Sequence, residues 1–323
     1  MRKGKGKHTV QPRKRLKRFA MSVAALFVVT SVAAACGSVG GEGRDGGGGN
    51  GSQDGSGGGA DKEVTIGYVN WADAVAVTYL WKHVLQDEGY TVNLEQLDAA
   101  PVFQGLDKGD LDLYLDAWLP VLHKSYWDRY GDDLEKLGAW YEGISALTVP
   151  AYVEDVNSIE DLKDKADEFG GEVIGIDAAA GIMTVANKTI EEYGLADSGW
   201  APEAAVSSES AMLAELRKRY EAEEPVVVTL WRPHYIYDEL ELKDLKDPEG
   251  SMGPGDSMTS IARGGFSEDH PEVAKWLKDF EMSEQDLLEI ENILREEEYV
   301  DDPEAGVESW IEDNQEWVDS LAK

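Results

Sequence analysis

One cysteine, Cys36, stands in a chain of 323 residues. A single thiol can close no internal disulfide and cannot supply a multi-cysteine zinc site. Positive charge is also scarce: 30 Lys and Arg face 64 Asp and Glu, a formal charge of −34. Nine of the cations lie in residues 1–18, ahead of the first acid, so loss of that leader takes −34 to −43. A surface of that sign excludes a nucleic-acid partner and disfavours adhesion to anionic lipid. Neither His-Glu-x-x-His nor Gly-x-Ser-x-Gly occurs, so the usual signatures of a zinc peptidase and a serine hydrolase are missing. The apolar run at 19–35 is too short and too rich in small residues to favour a permanent membrane span.

What that N-terminal run does resemble is an export signal. A basic segment, an apolar segment and then Ala33-Ala34-Ala35-Cys36 follow in order. The junction is similar to a bacterial lipobox, with Ala33 where the pattern usually carries Leu. The resemblance implies cleavage before Cys36, a diacylglyceryl thioether on its sulfur, and a protein anchored on the outer face of the cell membrane. Residues 1–35 are thus expected to be a signal peptide. Residues 36–60 are expected to be a lipidated cysteine with a Gly/Ser-rich tether, a soft coil spanning roughly 25–30 Å. Its glycines follow no strand, so they read as low complexity and not as a phosphate loop. The acid runs, such as Glu221-Ala-Glu-Glu224, read as solvated faces. So acidic a total suits a saline exterior, where salt screens self-repulsion.

From residue 61 onward strand and helix patterns alternate. Strands are expected at 64–69, 92–97, 111–115, 173–176 and 226–230. Helices are expected at 72–88, 158–169, 183–193, 211–223 and 271–297, with capping boxes at Ser158/Asp161 and Ser283/Asp286. Such alternation argues for an α/β fold with a largely parallel sheet under covering helices. About 260 residues is generous for one open sheet and natural for two lobes. Thr65-Ile-Gly-Tyr-Val followed by Asn70-Trp-Ala is echoed by Val173-Ile-Gly-Ile-Asp followed by Ala180-Gly-Ile-Met. Trp118-Leu-Pro120 is echoed by Trp231-Arg-Pro233. Lobe one is expected at 61–148 with 258–323 and lobe two at 149–257, with the chain crossing near 144–152 and 252–263.

Three of the ten tryptophans share a context. Trp71, Trp118 and Trp231 each end an apolar strand-like run: Ile66-Gly-Tyr-Val-Asn-Trp71, Leu113-Tyr-Leu-Asp-Ala-Trp118 and Val226-Val-Val-Thr-Leu-Trp231. Strand ends in an α/β sheet face the crevice where ligands sit. One such residue alone reads as core packing; three with matched surroundings read as a box. Indole faces suit a quaternary ammonium, which donates no hydrogen bond and offers only diffuse charge and methyl surface. Trp81, Trp127, Trp140, Trp200, Trp276, Trp310 and Trp317 read as helix-packing or surface residues. His83 and His270 read as surface helix positions.

Taken together, Gly67-Tyr-Val-Asn-Trp-Ala72, Leu115-Asp-Ala-Trp-Leu-Pro120, Gly175-Ile-Asp177 with Gly181-Ile-Met183, and Val227-Val-Thr-Leu-Trp-Arg-Pro-His234 resemble the glycine betaine substrate-binding proteins of ABC transporters. The resemblance implies a two-lobed, type II-like periplasmic-binding-protein fold that hinges shut on its ligand. It implies a cation cage of Trp71, Trp118 and Trp231. The ligand carboxylate would be held by the backbone N–H groups of Gly181 and Ile182 and by the side chain of His123, with His234 as second choice. The implied partners are glycine betaine or an analogue, a permease with its ATPase subunits, and the membrane through the lipid; no cofactor or metal is implied. A helix start with glycine favours an anion on independent grounds. Choline, carnitine, proline betaine and dimethylsulfoniopropionate are rival ligands. An enzyme is the alternative from another class: Asp98, Asp107, Asp110, Asp112 and Asp116 could supply a carboxylate dyad, though solvated loops account for them more simply. A structural lipoprotein without a cleft is the third reading.

Overall fold

The computed structural model describes residues 62–323. Its strands are β1 (Glu63–Tyr68), β2 (Thr91–Gln96), β3 (Leu113–Leu119), β4 (Leu134–Pro150), β5 (Val228–Arg232), β6 (Leu242–Asp244) and β7 (Asp256–Arg263). The helices are α1 (Ala72–Asp87), α2 (Ala99–Lys108), α3 (Lys124–Tyr130), α4 (Ala166–Phe169), α5 (Gly181–Glu192), α6 (Glu209–Glu221), α7 (Ile236–Glu239), α8 (Phe266–Asp269), α9 (Pro271–Asp279), α10 (Glu284–Leu294) and α11 (Pro303–Leu321). The leader, Cys36 and the tether lie outside the described residues.

The strand order is β2-β1-β3-β7-β4-β5, with β6 paired to the end of β4 on the edge opposite β5. Only β1 with β2 and β1 with β3 run parallel; β7 lies antiparallel to β3 and β4, and β5 and β6 antiparallel to β4. The expectation of a largely parallel sheet is therefore corrected to a mixed one. The reason is β4, a strand of 17 residues. Its first part, to Gly143, pairs with β7; from Ile144 to Thr148 it pairs with β5. One continuous strand thus joins the β2-β1-β3-β7 part of the sheet to β5 and β6. The segments 144–152 and 252–263 contain the end of β4 and all of β7.

Around this sheet the apolar stripe of α1 is fully committed: Val77, Leu80 and Trp81 are 0% exposed. The helix packs under α10 and α11. Other expected elements are shorter than predicted. Residues 158–169 hold a 3₁₀ turn, Ile159–Leu162, and the one-turn α4, since Gly170 in the left-handed region ends the chain's helical course. The 173–176 segment makes isolated bridges to Ala205 and Val228 and forms no continuous strand. Helix 271–297 is broken at 280–283, where Ser283 Oγ accepts the Asp286 N–H and starts α10 afresh. Only the Ser283 side of the expected capping box forms, but an N-cap serine inside a predicted helix is itself a start signal, and it wins over the apolar periodicity. His270 is buried, not on the surface.

Candidate functional site

Trp71 is the residue that precedes α1, in extended backbone (φ −106°, ψ 151°), so the strand-to-helix turn aims it out of the sheet end. Trp118 lies inside β3 and Trp231 inside β5, each followed after one residue by a cis proline, Pro120 and Pro233. The three indoles converge with Asp73, Leu122, His123, Ile176, Ala180, Gly181 and Ile182 on one small cavity. Six of the residues singled out from the sequence are therefore brought together. His234 is not among the lining residues. It sits edge-on behind Trp231, ring centroids 4.9 Å apart, with Nε2 3.3 Å from Glu209 Oε1 and Nδ1 accepting the Ile236 N–H.

The indole nitrogens are tied back. Trp71 Nε1 donates to Asp177 Oδ2 at 3.1 Å. Trp118 Nε1 donates to Asp116 Oδ1 at 3.0 Å and lies 3.3 Å from Asp73 Oδ2. Trp231 Nε1 has no hydrogen-bond partner among the described residues. With the polar edge anchored, the ring surfaces are what Trp71 and Trp118 offer the cavity, the geometry in which a cation meets the negative face of the π system. Trp118 also needs room behind it. A Cβ at Gly143 of β4 would run into its six-membered ring and lie 3.1 Å from the Arg232 carbonyl oxygen.

His123 is 1% exposed, and its Nδ1 accepts the Trp118 backbone N–H at 2.9 Å. Burial pushes its pKa down to about 3. The ring is thus neutral, with its proton on Nε2, and acts as a donor that carries no charge. It stacks on Trp71 at 15° between planes and 6.0 Å between centroids. The turn that delivers it is fixed by Asp256, whose carboxylate accepts the N–H groups of Val121 and Leu122. Across the cavity, Gly181 and Ile182 are the first two residues of α5, after Ala180 in extended backbone. Their N–H groups have no partner within the helix, and the helix dipole places partial positive charge there.

The two halves touch around this cavity. Besides the Trp71–Asp177 bond, the Ala72 N–H donates to Glu209 Oε2 at 3.1 Å and Tyr126 Oη donates to the Ala179 carbonyl at 2.8 Å. Sequence reasoning missed this acidic second layer. It treated Asp116 as a solvated loop residue, whereas Asp116 is 1% exposed within β3. Burial and the neighbouring Asp73 push its carboxyl well above the usual carboxylate range. Asp73 is raised to about 6, by burial first and Glu209 second. An acid inside the apolar run Leu113-Tyr-Leu-Asp-Ala-Trp-Leu119 was the available signal.

An α/β molecule with an aromatic cavity and a helix N-terminus opposite belongs to the binding-protein class. More narrowly, residues 62–313 match the family described as the substrate binding domain of ABC-type glycine betaine transport systems, and the chain belongs to that family. It is 32% identical to lactococcal OpuAC, solved closed with glycine betaine, at TM-score 0.74 over 81% of this chain and 100% of that one. It is 31% identical to the glycine betaine/L-proline-binding protein ProX from Borrelia burgdorferi, at TM-score 0.76 over 81% and 97%. A glycine betaine/carnitine transport binding protein of Listeria monocytogenes, GbuC, is 33% identical over 165 residues, 50% of this chain. The chain spans about half the length (53%) of that relative. A choline-binding protein solved with choline, 23% identical, shares the fold at TM-score 0.74. Among the described residues no helix is long and apolar enough to cross a membrane.

Proposed function

We propose that this protein is the extracellular capture component of an ABC importer and that its ligand is glycine betaine. The observation that carries the reading is the single cavity walled by Trp71, Trp118 and Trp231 with the start of α5 on it. In this reading the indoles hold the trimethylammonium group, and the Gly181 and Ile182 N–H groups with His123 Nε2 hold the carboxylate. Residues 61–148 with 258–323 form the lobe on which the ligand first rests; residues 149–257 form the lobe that closes over it, and the closed protein is what a permease receives. Capture without chemical turnover is the whole task, so no catalytic residue is assigned. Cys36 carries the lipid that tethers the protein outside the membrane; two acyl chains suffice for stable anchoring. Loss of membrane fractionation in Cys36→Ala tests that part.

Choline is the rival, because the cage alone treats the two cations alike. Three donors on the anion side favour the carboxylate: charge-assisted bonds are about twice as strong as neutral ones, and a poorly satisfied buried donor costs about 1–3 kcal/mol. Glycine betaine is therefore expected to bind at least about tenfold more tightly than choline. Calorimetric titration of the purified protein with both compounds decides: equal or tighter choline binding makes choline the ligand, and no heat with either removes the reading.

A further inference from the structure

Behind the cavity lies a polar arrangement that cation capture by aromatic faces does not require. Two carboxylates, Asp73 of α1 and Asp116 of β3, converge on one N–H, that of Trp118, at 3.3 and 3.0 Å. Both residues are 1% exposed. Each keeps one oxygen, Asp73 Oδ1 and Asp116 Oδ2, without a hydrogen-bond partner among the described residues. Asp73 is in addition a lining residue of the cavity. Two buried carboxylates sharing one donor cannot both be ionised without severe repulsion, so a proton is retained between them. The groups facing Asp73 from the surrounding elements are mostly acidic too: Glu209 at the start of α6 and Glu291 of α10, with His234 after β5 the one potential cation. On the β3 side the pair also faces the buried Tyr114 hydroxyl. Among the described residues no group of three or more His, Cys, Asp or Glu side chains is placed to hold a metal ion.

We infer that Asp73 and Asp116 are a proton-sharing pair on the cation side of the cavity, so that capture of a quaternary ammonium drives Asp73 into its ionised form and expels a proton. The inference rests on the capture reading above and goes beyond it. The incoming charge is permanent and cannot be neutralised by losing a proton, so the protein side must adjust. A cation in the cage lowers the cost of the Asp73 charge; below about pH 6, where both carboxyls of the empty protein are protonated, the Asp73 proton leaves to solvent and the pair goes from neutral to one charge. Asp116, farther from the cavity and tied to the Trp118 N–H, keeps its proton longest.

The sign follows from linkage. Asp73 in the empty protein titrates near 6, and bound cation lowers that value, so affinity is full above it and falls as pH drops through it. For a group titrating at about 6, affinity falls about tenfold from pH 7 to pH 5. The probe is tetramethylammonium chloride, which has no titratable group and engages only the cage, with glycine betaine in parallel. Isothermal titration of the purified protein at pH 5, 6, 7 and 8, in buffers of different ionisation enthalpy, reads both affinity and protons released. The expected result is the tenfold loss at pH 5 and a buffer-dependent heat between pH 5 and 6. Asp73→Asn keeps an oxygen for the Trp118 N–H but removes the charge. It is expected to weaken tetramethylammonium binding at pH 7 and to abolish the pH dependence; a merely positioning role would leave wild-type affinity. Binding of both ligands with one affinity from pH 5 to pH 8 overturns the inference and leaves the capture reading intact. Absence of binding at every pH overturns both.

Discussion

Gly181 packs tightly against the Leu122 backbone, and this makes a sharp test. A Cβ built there would lie 2.9 Å from the Leu122 Cα and nearer still to the Leu122 carbonyl. Ordinary contact begins at 3.4 Å. Gly181→Ala therefore has room only if the start of α5 draws back from the Pro120–Leu122 turn, by about 0.5 Å at the Cα and more at the oxygen. Neither side yields easily, because the obstacle is backbone held by the Asp256 carboxylate through the Val121 and Leu122 N–H groups. Overpacking of this kind costs about 1–3 kcal/mol. The cost falls on the closed form alone, since Gly181 is not in the left-handed region and alanine is the better helix former. Unfolding stability of the ligand-free protein is thus expected to be unchanged or slightly raised. Affinity for glycine betaine is expected to fall by about 5- to 150-fold, through faster dissociation. Small-angle scattering with saturating ligand is expected to show less compaction than wild type. Wild-type affinity and wild-type compaction in Gly181→Ala refute the argument that the halves meet at this residue.

The cage predicts that Trp118→Ala or Trp231→Ala weakens glycine betaine binding about thirtyfold or more, since a desolvated cation–π contact is worth about 2 kcal/mol; titration calorimetry of the folded variants checks this. Trp276→Ala is a different case, because Trp276 is buried in α9: its melting temperature should drop while the folded fraction binds normally. His123→Ala should narrow the preference for glycine betaine over choline, measured as a ratio of dissociation constants, and leave choline less affected. Thermal stability of the ligand-free protein should rise from pH 7 to pH 5. Asp73, Asp116 and Glu291 all have raised carboxyl pKa values, so the folded state binds protons there that the unfolded chain does not; His123, lowered to about 3, opposes this as pH falls through 6.5. A melting temperature that falls steadily over that window contradicts the balance of three against one.

Much of the site was legible because its markers are local. A tryptophan at the end of an apolar run and a glycine opening a helix are patterns within six residues, and they landed on one cavity. The parts that were not legible depend on partners far along the chain. The first nine residues of β4 bury only Leu134 and Trp140, and the strand contains Gly138 and Gly143. Gly138 has its reason in the backbone of Leu277 and Lys278, more than a hundred residues away, and Gly143 in the Trp118 ring. The acids were misread for the same cause. In a chain with 64 acidic residues the economical assumption is that each is solvated, and composition cannot tell Asp107 in solvent from Asp116 under a sheet.

That misreading bears on how the site works. An aromatic cage grips a cation through weak, non-directional contacts, so its selectivity depends on holding each ring at a fixed attitude. Two of the three indoles are held by carboxylates, Trp71 by Asp177 and Trp118 by Asp73 with Asp116. The Trp71–Asp177 bond joins residues on opposite halves, 106 positions apart, so a cage wall is completed only when the halves meet. Ring orientation and closure are then one event. On the proposed reading, a ligand that rests on Trp118 and His123 alone finds Trp71 unanchored, and the bond to Asp177 forms as α5 brings its N–H groups to the anionic end. Cation and anion recognition would then be coupled through Asp177. Asp177→Ala should therefore weaken glycine betaine more than it weakens tetramethylammonium, although the residue is absent from the cavity lining. Equal weakening of the two ligands would show that Asp177 only steadies one ring and plays no part in closure.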